Sequence, residues 1–288
     1  GNGTFANLNV GLPGVLYSSV ALGDYDNDGK LDILLTGTPD GFGSTALTQL
    51  WRNLGNNTFS NVSISLPGVT QGAVAWGDFD QDGRLDILLS GYTTNGMVCQ
   101  IWRNLGNGSF SNMNVGLPGV YQSSVAVGDF DNDGKLDIAL AGLNSQSNSI
   151  CQVWRNTGNW VFTNLNAGFA GVHYGSVAWA DFDNDGRLDL LLAGLNAAGN
   201  PILQVYHNDA AVSNASDLRI NDLKTLADGS RQLSFNGQVG FGYRVWGSTN
   251  LVQWTALGVP NEGSPATFEF SDHAAANLRS RFYRVSRP

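Results

Sequence analysis

Four short loops hold most of the ionisable chemistry of this chain. Each reads D-x-D-x-D-G-x-x-D: Asp24, Asp26, Asp28 and Asp32; Asp78, Asp80, Asp82 and Asp86; Asp129, Asp131, Asp133 and Asp137; Asp181, Asp183, Asp185 and Asp189. Alternate carboxylates on a loop pinched by glycine turn toward one point, and Ca2+ takes six to eight such oxygens at flexible geometry. Mg2+ demands a stricter octahedron, and softer metals favour Cys or His. Sixteen of the 24 acidic residues lie in these loops, so four divalent ions would move the formal charge from -9 to about -1. Like charges held this close need a counterion. The plain alternative, a solvated Asp-Asn-Gly turn without metal, does not call for four intact copies. An EF-hand needs a bidentate Glu at loop position 12 and flanking helices. That position is Leu35, Leu89, Leu140 and Leu192, inside strand-like runs. About four Ca2+ are therefore expected.

Little else could do acid-base or nucleophilic work. His173, His207 and His273 are the only histidines, none in a catalytic or zinc motif, and the two glutamates, Glu262 and Glu269, lie far from the loops in sequence. Paired aspartates could serve glycoside chemistry. Their fourfold repetition is better explained by metal ligation, so a non-catalytic protein is expected. The acidic balance and scattered Lys and Arg exclude a nucleic-acid partner. The longest apolar run, around Leu31 to Leu35, is too short for a bilayer, and no membrane insertion is expected. The opening residues do not read as a signal peptide, and a start at Gly1 is expected of a processed or trimmed chain. Cys99 and Cys151 occupy equivalent places in successive repeats, which points them the same way, so two buried free thiols are expected. Asn2, Asn56, Asn61, Asn107 and Asn214 head N-x-S/T sequons, mostly chance matches in so Asn-rich a chain.

The elements that position the loops repeat with them. The first aspartates are spaced by 54, 51 and 52 residues, and a block Q-x-W-R-N follows each of the first three loops. From Trp51, Trp102 and Trp154 to the next first aspartate is always 27 residues, so length variation lies between loop and block. Each unit reads as four strands: a over S-V-A-x-G, b over L-D-I-L-L, c ending in the block, and d over T-F-x-N-x-N. Four strands in about 52 residues, repeated, are the blades of an all-β propeller. The small pairs opening strand a, such as Gly72-Ala73, are expected to face a crowded central channel. The chain begins with an isolated strand d, and the fourth unit lacks one. Pairing Thr4 to Val10 with the segment Gln204 to Tyr206 would close a four-bladed ring within the chain. Otherwise a neighbouring copy supplies the strand, or the array is part of a larger propeller.

The repeats resemble the FG-GAP and VCBS repeats of integrin-α-like propellers, whose a–b loops carry this same aspartate pattern. The resemblance covers residues 1–209 and implies that the sixteen aspartates are calcium ligands, joined by the carbonyls of Lys30, Arg84, Lys135 and Arg187. Such propellers usually have seven blades. A shift in composition follows: residues 1–209 carry 18 acids and 7 bases, residues 210–288 carry 6 and 8. Residues 210–216 read as a linker and 217–288 as a small β-sandwich-like domain, similar to fibronectin-III modules and to a C-terminal module of secreted bacterial proteins. Loops opposite the aspartates vary most, and ligand sites favour loops on rigid scaffolds. Tyr17, Gln71, Gln122 and Tyr174, with Tyr121 and His173 beside them, are expected to ring the channel mouth, to bind a ligand or simply to plug it. The expected role is extracellular, either structural and adhesive, with a surface protein or other copies of the chain as partner, or lectin-like toward a glycan.

Overall fold

The computed structural model describes residues 3–40, 45–209, 220–236, 243–249, 254–262, 267–278 and 281–286. It divides into two compact units, Gly1–Asn208 and Asp209–Pro288. The first is all-β and propeller-like. Blade 1 comprises β1 (Leu16–Gly23), β2 (Asp32–Thr38), β3 (Leu47–Gly55) and β4 (Thr58–Val62); blade 2 comprises β5 (Thr70–Gly77), β6 (Asp86–Thr93), β7 (Gly96–Gly106) and β8 (Ser109–Asn112). Blade 3 comprises β9 (Tyr121–Gly128), β10 (Asp137–Leu143), β11 (Ser149–Asn156) and β12 (Phe162–Asn164), and blade 4 comprises β13 (His173–Ala180), β14 (Asp189–Leu195) and β15 (Pro201–Tyr206). Every blade is an antiparallel meander in chain order.

The apolar b strands follow from this stacking. Successive side chains of a strand point to opposite faces, yet Ile87, Leu88 and Leu89 are all fully buried. Ile87 and Leu89 pack toward blade 1, with Leu34 and Val74, while Leu88 packs toward blade 3, with Ile138 and Leu140. A blade covered on both faces needs an unbroken hydrophobic run. A third cluster, with Ala139, Val153, Leu190 and Leu192, joins blades 3 and 4.

Two expectations are revised here. The small residues opening strand a serve two crowded places: Ser19 and Ser124 accept from the Val74 and Val177 amides of the next blade's innermost strand, and the glycines also make room for strand b of their own blade. A Cβ on Gly72 would lie 1.9 Å from the Ser90 carbonyl oxygen, and one on Gly175 would lie 2.0 Å from that of Ala193. The second correction concerns closure. Innermost strands pack in the order β1, β5, β9, β13, and among the described residues no comparable interface joins β13 to β1. Residues 4–10 form no strand, Phe5 is fully exposed, and β15 has no outer partner among the described residues. Strands β4, β8 and β12 are each tied to strand c by a short hairpin, which the N-terminal segment lacks. The four blades form an open arc.

The second unit holds β16 (Ile220–Thr225), β17 (Arg231–Asn236), β18 (Arg244–Ser248), β19 (Thr255–Gly258), β20 (Asn261–Glu262), β21 (Thr267–Asp272) and β22 (Phe282–Ser286), with a 3-10 turn at His273–Asn277. Two antiparallel sheets, β16-β17-β21-β20 and β19-β18-β22, share a core of Leu233, Phe235, Tyr243, Val245 and Phe268. The 210–216 linker, Asn2, Asn214 and the tip of the first b–c loop lie outside the described residues.

Candidate metal centres

Each D-x-D-x-D-G-x-x-D loop is held by its own backbone. Asp24 accepts from the amides of Asp28 at 2.9 Å and Gly29 at 2.8 Å, and the same pair of bonds recurs from Asp78, Asp129 and Asp181. Asn27, Gln81, Asn132 and Asn184 take left-handed backbone, with φ of 57 to 62°, to make the turn. The last aspartate opens strand b. Asp32, Asp86 and Asp137 are fully buried and Asp189 nearly so. Each accepts two backbone amides, as Asp86 does from Phe79 at 3.1 Å and Asn104 at 2.8 Å.

This folding brings three carboxylates of every loop together. Ligand oxygens of Asp24, Asp26 and Asp32 lie within 4.8 Å of one another, as do those of Asp78, Asp80 and Asp86, of Asp129, Asp131 and Asp137, and of Asp181, Asp183 and Asp189. Oδ1 of Asp26 and of Asp80 is buried with no hydrogen-bond partner. A buried, unsatisfied carboxylate oxygen is costly, and a hard cation would satisfy it. The residues present therefore fit Ca2+.

The third aspartate of each loop lies outside these four triads and engages basic side chains; in the fourth loop Asp185 also clusters with Asp183 and His207. Asp28 pairs with Lys30 at 2.8 Å and Arg52 at 3.1 Å, and Arg52 also approaches Asp26 at 2.6 Å. Arg84 and Arg103 serve the second loop, and Lys135 and Arg155 the third. In the fourth, Arg187 pairs with Asp185, and His207 Nε2 lies 2.9 Å from Asp183. Four carboxylates against two basic side chains leave -2 in each of the first three loops, the charge one divalent ion cancels. Arg52, Arg103 and Arg155 went unassigned in the sequence, although one follows every block tryptophan and His207 takes the place in the fourth repeat.

Burial pushes Asp86 and Asp137 up to about 7, against the pull of their backbone donors, and raises Asp32 as well. The unfolded carboxyl titrates near 3.9. Metal-free native protein thus binds more protons than the unfolded chain between roughly pH 4 and 7, so its stability falls as pH rises through that window. Melting of metal-free protein from about pH 5 to 7 should show a declining midpoint; a rising one refutes this account of the buried pair.

On the opposite loops, Tyr17, Gln71, Gln122 and Tyr174 share φ of 48 to 51° at a bulge in strand a. Gln122 Nε2 donates to Gln71 Oε1 at 3.3 Å and to the Tyr174 hydroxyl at 2.6 Å, while Tyr121 packs on Tyr92 and His173 bonds Ser149. Gln71, Gln122 and Tyr174 of successive blades therefore lie side by side. Cys99 and Cys151 are free and buried, and burial pushes both thiols to about 12.

Meandering blades with acidic a–b loops define a repeat protein of the propeller class. The FG-GAP-like repeat family matches residues 37–89, 91–140 and 140–192, more than half of the chain, and the FG-GAP repeat family matches residues 16–51. The chain belongs to the FG-GAP repeat family. It is also similar to cartilage acidic protein 1 of Mus musculus, at 29% identity over 181 residues, and of Xenopus tropicalis, at 30% over 186. Each match covers 57% of this chain but 27% of the relative. These relatives are animal proteins, whereas a bacterial one was expected.

Proposed function

We propose that the chain is a non-catalytic, extracellular calcium-binding protein of structural or adhesive role, its blades stiffened by about four Ca2+. The observation that carries this reading is the convergence of three carboxylates in all four loops, with buried oxygens lacking partners in two of them. The oxygens of Asp24, Asp26 and Asp32 and their counterparts would hold the ion, with the carbonyls of Lys30, Arg84, Lys135 and Arg187 completing the shell. Bound calcium adds positive charge where the loops carry excess negative charge and ties strand a to strand b. Membership of the FG-GAP family and similarity to relatives named for cartilage support an extracellular role with a surface protein as partner. The edge of β15, which has no outer partner among the described residues, supports association with other copies. The second unit is read as a fibronectin-III-like module.

Calcium titration by calorimetry tests the proposal. About four ions are expected for the intact chain, and Asp78→Asn with Asp80→Asn should remove one, leaving three. Absence of calcium binding at millimolar concentration overturns it. A lectin-like reading has one observation in its favour, the row in which Gln122 bridges Gln71 and Tyr174, since amide and aromatic groups side by side suit a sugar. Retention on immobilised glycans in calcium, lost on Gln122→Ala, would distinguish it.

A further inference from the structure

Every blade delivers one side chain from the end of its strand c over its own acidic loop, and in the fourth blade that side chain changes chemistry. Arg52, Arg103 and Arg155 follow the block tryptophans of the first three repeats, and His207 stands at this place in the fourth. A guanidinium stays protonated and has no lone pair to offer, so in three loops the place can hold a carboxylate but never a metal. A neutral imidazole can ligate one.

His207 Nε2 lies 2.9 Å from Asp183 Oδ2 and 3.6 Å from Asp185 Oδ2. Ligand atoms of these three residues fall within 4.8 Å of one another, in a cluster joined to the Asp181, Asp183 and Asp189 triad through Asp183. Among the described residues no other group of this kind includes a histidine. In a tetrahedral site with metal to ligand distances of 2.0–2.1 Å, the ligand atoms stand about 3.3 Å apart. The two observed separations bracket that value, and closing around an ion needs only small shifts.

The surroundings hold the imidazole in place. The Asn208 amide donates to Asp189 Oδ1 at 2.8 Å and the Asn208 carbonyl accepts from Arg187 Nε at 2.8 Å, which ties the backbone beside His207 to the end of the loop. Phe182 meets the imidazole edge-on, with ring centroids 5.8 Å apart. Arg187 pairs with Asp185 as Lys30 does with Asp28, so the third aspartate keeps its basic neighbour here as elsewhere. Charge favours a cation more strongly than in the other loops. With the imidazole neutral, four carboxylates face one guanidinium, leaving -3 where each of the first three loops carries -2. Asp183 and His207 are 36% and 34% exposed, so an ion can enter and water can supply a fourth ligand.

We propose that the fourth loop carries a second kind of metal site, in which a divalent ion of the zinc class is bound by His207 Nε2 and the carboxylates of Asp183 and Asp185. Mixed imidazole and carboxylate ligands suit Zn2+ and its first-row neighbours, whereas Ca2+ takes oxygen ligands. The assignment rests on the imidazole and not on calcium occupancy of any loop.

Titration of the intact chain with Co2+ tests it, read by the visible absorption of the bound ion and by its displacement with Zn2+. Millimolar calcium is present throughout to keep Co2+ out of the all-oxygen triads. About one Co2+ per chain is expected. His207→Arg, which restores the residue of the other repeats, should weaken binding at least tenfold, and Arg155→His should add a second equivalent over Asp131 and Asp133. No absorption from the unaltered chain, absorption that His207→Arg leaves intact, or no second equivalent in folded Arg155→His overturns the proposal. Persistence in His207→Arg would assign the ion to His173 or His273 instead. Co2+ held through His207 by a chain that binds no calcium would refute the proposed function and leave this site standing, and calcium binding without Co2+ binding would do the reverse.

Discussion

Chelation is expected to lower the melting midpoint of the repeat unit by roughly 20–40 °C. A ligand present at a hundredfold excess over its Kd stabilises the native state by about 2.7 kcal/mol per site, so four sites give on the order of 10 kcal/mol. For a domain of this size each kcal/mol moves the midpoint by roughly 2–4 °C. The source of the effect is local. Without the ion, the converging carboxylates of Asp24, Asp26 and Asp32 and their counterparts repel one another, and Asp26 and Asp80 each keep a buried oxygen without a partner. Parallel calorimetric scans in millimolar calcium and in chelator provide the check, with metal analysis of both samples. Equal midpoints with empty loops would sink the calcium reading.

The second large effect is expected at a residue that touches no ion. Asn156→Ala should destabilise the repeat unit by roughly 2–4 kcal/mol, because alanine leaves the buried Phe79 carbonyl without this partner, at about 1–3 kcal/mol, and removes two part-buried bonds that contribute about 0.5 kcal/mol each. The Asn156 amide nitrogen donates to Phe79 O at 3.0 Å and Leu136 O at 3.2 Å, and its oxygen accepts from the Gly158 amide at 3.0 Å. The side chain is buried between blades 2 and 3. Asn53 is the control, because it is half-buried in blade 1 and, among the described residues, its side chain bonds only within its own blade, to Leu31 O and the Gly55 amide. There water replaces the lost bonds, and a loss of about 1 kcal/mol or less is expected. Urea unfolding at matched calcium measures both. Equal losses at the two positions would show that the asparagine acts within its blade and does not clasp blades together.

The blades and the loops within them were legible from the residues alone. The D-x-D-x-D-G-x-x-D pattern, the following L-D-I-L-L run and the Q-x-W-R-N block are local signals, because turns and strands depend on residues near one another in the chain. Hence the strands within each blade lie where their patterns place them, the isolated N-terminal strand d excepted, and three of the four aspartates of each loop converge. The equivalence of Cys99 and Cys151 likewise sufficed to keep them apart.

What joins one repeat to another was settled by packing over long stretches of chain. Asn104 reaches the Tyr25 carbonyl and Asn156 that of Phe79 across 77 to 79 residues, and no spacing within a single repeat shows that an asparagine after the block arginine serves the preceding blade. Arg52, Arg103 and Arg155 came into view only once strand c was folded back over its loop. Closure depends on the angle accumulated from blade to blade, set by side-chain packing at three interfaces. A matching pair of orphan strands in the sequence holds no information about that angle. The fourth blade therefore lies away from the first, leaving Val20, Leu22, Phe182 and Val205 exposed where the same positions elsewhere are packed.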